Sequence, residues 1–208
     1  MNLTILKFAE KKFLEDYPGG FASPEMVEIG KKHKMEKMIE FAQESFNKSK
    51  FIKPKVIVEN MIKIVSRSSM VSLFEKPKFK DFCKGLSPKK QKVLANGLEN
   101  LLHGNQEEGF NIILNMLTEA KLAKWSLITI IPAYFHPNEE VFVKPTTAKG
   151  VITVFELKKL LYQPRPSWEF YIEYRKQIQA MKKKVSKKLS PNNAAFSGFL
   201  MMVCAPIK

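Results

Sequence analysis

Cysteine is almost missing from this 208-residue chain: Cys83 and Cys204 stand alone with 120 residues between them. That excludes a disulfide framework and a Cys-based metal knuckle, and it favours a reduced, cytoplasmic setting. Glycine is sparse, nine residues with one adjacent pair at Gly19-Gly20, and neither G-x-x-x-x-G-K-[ST] nor G-x-G-x-x-G occurs. A nucleotide hydrolase with a glycine-rich phosphate cradle is thereby excluded. His33, His103 and His136 are scattered, and there is no H-E-x-x-H or C-x-x-C spacing to hold a metal. No cofactor is implied.

The start, Met1-Asn2-Leu3-Thr4-Ile5-Leu6-Lys7, runs into Lys11, Lys12, Glu15 and Asp16 without an apolar stretch of signal-peptide length. The longest nearly uncharged stretch, 189–206, contains Pro191, Asn192, Asn193, Ser197 and Gly198 and is too short and polar to span a bilayer. No membrane partner is expected. Arginine is also rare: Arg67, Arg165 and Arg175 are the only three among 35 basic residues.

What the chain does have is helical periodicity and lysine. Leu3, Leu6, Phe13, Leu14 and Tyr17 share a face before Pro18-Gly19-Gly20 stops the first helix. Ser23-Pro24-Glu25 has the cap, first-turn proline and first-turn acid of a second helix. Met35, Met38, Ile39, Ala42 and Phe46 mark another amphipathic run, and Val58, Met61, Ile62 and Val65 favour helix over strand. Ser87-Pro88 precedes Leu94, Leu98, Leu101 and Leu102; Gly104 then closes that helix, and Asn105 with Glu108 opens the next in capping-box spacing. Two antiparallel helices over 88–122 are the firmest supersecondary expectation.

Beyond Lys124 the residue types change. Trp125-Ser126-Leu127-Ile128-Thr129-Ile130-Ile131 is continuous and rich in β-branched residues, and Val141-Phe142-Val143 is a second extended candidate, so a small β hairpin or two short strands are expected near 125–145. Residues 148–161 read as helix capped by Thr146 or Thr147, and Gln163-Pro164-Arg165-Pro166 as a stiff connector. Ser167 caps a long helix with Tyr171, Tyr174, Ile178, Met181 and Val185 on one row; a last helix starts at Ser190-Pro191. The expected fold class is mainly α: one compact multi-helix domain over 1–208, with 1–50 as a candidate N-terminal subdomain and 165–208 as a basic helical region.

Basic residues outnumber acidic ones by 15, and the excess is local: residues 51–104 carry eleven basic groups against four acidic, and residues 146–208 carry twelve against three. A concentrated cationic surface points to a polyanion, the backbone of DNA or RNA, or to an acidic protein partner. Lysine is a hydrated point charge suited to phosphates, whereas base edges call for the guanidinium fork, so backbone contact is favoured over base readout. The expected nucleic-acid contacts are Lys89, Lys90 and Lys92 in the middle block, and Arg165, Arg175, Lys176, Lys182, Lys183 and Lys184 in the C-terminal block. Trp168 at the start of its helix is a stacking candidate beside them. Ser87-Pro88-Lys89-Lys90 is similar to the SPKK element of basic histone tails, although Ser-Pro ahead of an amphipathic run is first of all a helix cap.

The chain is expected to lack an active site, with one alternative. Pro137-Asn138-Glu139-Glu140, an apolar run 151–155 and Glu156-Leu157-Lys158 are similar to the PD-(D/E)xK nuclease pattern. The likeness implies carboxylates at Glu139 or Glu140 and at Glu156 holding Mg²⁺ while Lys158 orients a water. Asn138 stands where that pattern has aspartate, and a helix over 148–161 displaces the strand it needs.

Overall fold

The computed structural model describes residues 1–204. Among these residues eleven α-helices follow in order: α1 (Leu3–Asp16), α2 (Pro24–His33), α3 (Met35–Ser45), α4 (Pro54–Arg67), α5 (Glu75–Lys84), α6 (Pro88–His103), α7 (Gln106–Glu119), α8 (Trp125–Phe135), α9 (Pro145–Val154), α10 (Trp168–Lys182) and α11 (Asn193–Val203). Among the described residues no helix is long and apolar enough to cross a membrane; residues 205 and 206 of the apolar stretch lie outside the described part.

Local chemistry sets most helix starts. The side chains of Asn2, Ser87, Asn105, Ser167 and Asn192 each accept a hydrogen bond from the backbone N–H three residues on, satisfying a first-turn donor that has no partner within the helix. Asn192 rather than Ser190 caps α11. Ser23 precedes Pro24 in extended conformation, but its hydroxyl makes no cap and is buried without a partner. Lys34, in the left-handed region at φ 51°, separates α2 from α3.

Every helix contributes to one apolar cluster running from Leu6 to Leu200. Its tightest seam is the α6–α7 hairpin, where Gly97 and Gly109 let two backbones meet. A Cβ on Gly109 would lie 2.2 Å from the Leu101 nitrogen and 2.6 Å from the Gly97 carbonyl oxygen.

The expected β element near 125–145 does not form, and among the described residues there is no strand. The run from Trp125 is α8, buried from Trp125 to Tyr134. A helix enclosed on all sides needs apolar residues on every face, which removes the amphipathic period and leaves a run that reads like a buried strand. Thr129 suits the helix because its hydroxyl donates to the Trp125 carbonyl at 2.8 Å. Segment 140–143 is buried, but side chains replace a strand partner. The Val141 N–H donates to the Tyr171 hydroxyl at 3.4 Å, the Val143 N–H to Thr129 Oγ1 at 3.0 Å, and Asn193 Nδ2 donates to the Glu140 carbonyl at 2.9 Å. With these three backbone groups paired to side chains the segment is held without a strand partner. Downstream, α9 starts at Pro145 after Lys144 instead of at a threonine cap, and ends at Val154, short of the expected 161; Glu156 follows in the left-handed region at φ 51°.

Candidate nucleic-acid interface

The middle lysine block lies on α5 and the start of α6. Burial of Phe79 and Cys83 fixes the inner side of α5, and the Ser126 hydroxyl donates to the Glu75 carboxylate at 2.6 Å to pin its first turn against α8. Lys78, Lys80, Lys84, Lys89 and Lys92 are consequently exposed. Among the described residues, none of these five has a carboxylate within 4.0 Å, whereas Lys90 pairs with Glu119 at 3.0 Å. That pair ties the start of α6 to the end of α7. Beyond α7, Lys121 shares a shallow depression of about 410 Å³ with Lys78, Asp81, Phe82, Ala120 and Leu122.

Part of the local electrostatics is unfavourable, although Asp81 lies three residues from both Lys78 and Lys84. Lys76, Lys80 and Lys84 follow at i, i+4 and i+8, and like charges at that spacing cost about 0.2–0.5 kcal/mol per pair. Lys89 and Lys90 occupy the first turn of α6, which carries no acid, so they oppose its dipole. An external anion would relieve both costs.

The C-terminal block is different. Lys182 and Lys183 sit at the C-terminal end of α10, where positive charge offsets the dipole. Lys182 is half-buried and donates to Asn193 Oδ1 at 2.9 Å, and burial lowers its pKa. Lys188 Nζ donates to the Pro18 carbonyl at 3.3 Å. Lys183 and Lys184 are exposed, Lys176 is 4.0 Å from Glu173, and Arg165 is exposed in the proline connector.

Arg175 and Trp168 are held inside a packed cluster. Arg175 forms an ion pair with Glu140, which is 2% exposed, and its second nitrogen donates to Gln106 Oε1 at 3.1 Å. Gln106 Nε2 donates to Glu140 Oε1 at 2.9 Å, and the Tyr171 hydroxyl donates to Glu140 Oε2 at 2.5 Å. The guanidinium lies over the Trp168 and Tyr171 rings at 5.9 and 5.6 Å from their centroids, and Trp168 packs on Phe110. This cluster anchors segment 140–143 between α7, α10 and α11.

Burial first, and then the Glu140 charge and hydrogen bond, push the Tyr171 hydroxyl well above its ordinary value of 10. Tyr134 and Tyr174 are also raised, chiefly by burial. A raised folded pKa gives stability that is complete below the unfolded value and is lost as pH climbs past it, because the unfolded chain ionises first. Circular dichroism across an alkaline titration should show stability falling from about pH 10 upward, and more gently in Tyr171→Phe.

Of the nuclease-like pattern, Glu139, Glu156 and Lys158 are exposed, whereas Glu140 is buried in the Arg175 cluster. Glu139 lies 3.8 Å from His136 Nδ1, Glu156 accepts from Asn2 Nδ2 at 3.2 Å, and Lys158 follows in a turn, so no strand carries Glu156 and Lys158. Among the described residues no three His, Cys, Asp or Glu side chains gather as a ligand set. Cys83 is buried, which pushes its thiol up to about 12 and removes the thiolate a nucleophile needs. His33 Nδ1 meets Ser69 Oγ at 2.7 Å on the exposed surface, while His103 and His136 bond the Phe46 and Leu102 carbonyls.

Lys121 is the cation beside Lys78 that local charge counting misses. It lies in 105–145, a net acidic stretch, and reaches the lysine face only because the α6–α7 hairpin folds back. Comparison with known proteins gives no match: no family model, no curated protein and no solved structure.

Proposed function

We propose that the protein binds the phosphate backbone of nucleic acid, without catalysis, through the exposed lysines of α5, the start of α6 and the turn after α7. One observation carries this reading: Lys78, Lys80, Lys84, Lys89 and Lys92 are exposed on consecutive helices, and among the described residues none has a carboxylate within 4.0 Å. Lysine ammonium groups meet phosphates as point charges, and each neutralised phosphate releases condensed counterions. The predominance of lysine over arginine supports weak discrimination between base sequences.

Fluorescence anisotropy against DNA and RNA across a salt series tests the reading. With about five phosphates neutralised, log K falls with log salt at a slope of about −4.5 for duplex, which is about 500-fold between roughly 50 and 200 mM. Affinity that is flat with salt, or no binding at low salt, would contradict it.

A further inference from the structure

We propose that Phe74 is a stacking platform for unpaired bases, so that this face takes single-stranded nucleic acid in preference to duplex. The inference rests on the phosphate-backbone reading and adds the class of strand. Phe74 is 82% exposed and its neighbour Leu73 is 78% exposed, so neither ring nor isobutyl group gains from the core. Phe74 has right-handed helical backbone angles, φ −77° and ψ −23°, and extends the line of α5 upstream.

At i, i+4 and i+8, Phe74, Lys78 and Phe82 therefore lie along one side of the helix over about 12 Å. Phe82 is half-buried and lines the depression that Lys78 and Lys121 flank. The row alternates aromatic, cation and aromatic, the combination that holds a single strand by stacking its bases while ammonium groups follow its phosphates.

A duplex offers no free base face to such a row without the cost of unstacking. A bilayer is served less well. The apolar side of α5, Phe79 and Cys83, faces the core, and only a two-residue tip projects where interfacial binding needs a broad apolar face.

The test measures anisotropy of the full chain with a labelled oligothymidylate, an unstructured RNA and a matched duplex across one common salt series. The variants are Phe74→Ala, Phe74→Trp and Lys78→Gln. The wild type should favour the single strands. Phe74→Ala should lose about tenfold on them while leaving duplex affinity and the salt slope unchanged. Phe74→Trp should retain binding, with indole emission quenched beyond any change in the wild type, and Lys78→Gln should reduce the slope by about one.

Equal single-strand affinity for Phe74→Ala and wild type, or no preference over duplex, would overturn the stacking inference while the phosphate reading stands. A wild type that binds neither form would remove the phosphate reading, and this inference with it. Phe74-dependent sedimentation with phosphatidylserine vesicles, without nucleic-acid binding, would replace both with a membrane surface.

Discussion

Replacing Glu140 by alanine should lower the unfolding free energy by about 3–5 kcal/mol, because it leaves Arg175 charged and enclosed with no carboxylate. The effect should spread beyond the pair. Glu140 accepts from Gln106, Tyr171 and Arg175, and its backbone carbonyl accepts from Asn193, so α7, α10 and α11 meet through one residue. Urea unfolding measures it, and Arg175→Ala should cost a comparable amount. Replacing both charges at once, Glu140→Leu with Arg175→Leu, should recover much of the loss, because no unpaired charge remains and apolar side chains often substitute well for a buried pair. A single Glu140→Ala loss below about 1 kcal/mol would show the network to be dispensable.

Gly109→Ala should destabilise the chain by about 3 kcal/mol or more, the upper part of the range for overpacking. The added methyl meets backbone atoms of Leu101, Asn100 and Gly97, which cannot rotate aside, so α7 must shift away from α6. That hairpin also positions Glu119 against Lys90 at the start of α6 and Lys121 beside Lys78 of α5, so the same variant should weaken phosphate binding. Gly30→Ala is the internal contrast. Nothing lies within 4 Å of a Cβ there, and alanine in an open helical position should add about 0.5–1 kcal/mol. Denaturant midpoints for the two variants should move in opposite directions; a neutral Gly109→Ala would contradict the close approach of the two helices.

The helical parts of the fold were legible wherever capping chemistry and a 3.6-residue period coincided. Ser87, Asn105 and Ser167 mark helix starts in sequence and accept the first-turn N–H in the structure. The period fails for α8 because burial on all sides leaves no polar face to contrast with. It fails for 140–143 because the partners of its backbone, Tyr171, Thr129 and Asn193, are side chains from distant helices. The site was legible in part for the same reason. Charge counting finds the lysine blocks, since charge is local in sequence, but it cannot separate Arg175, consumed by Glu140, from Lys89 and Lys92, which are exposed. Glu140 gives no local signal that it differs from exposed Glu139, and the role proposed for Phe74 follows only from its failure to be buried.

The most direct measurement compares two variants of equal net charge. In one, Lys80, Lys84, Lys89 and Lys92 become glutamine; in the other, Lys176, Lys183, Lys184 and Lys187 do. Both lose four positive charges, so any effect of overall charge is the same. The account predicts that the first set lowers the slope of log K against log salt by nearly four and weakens binding strongly, while the second leaves the slope near that of the wild type. Equal losses from the two sets would show that net charge, and not the α5–α6 face, governs binding.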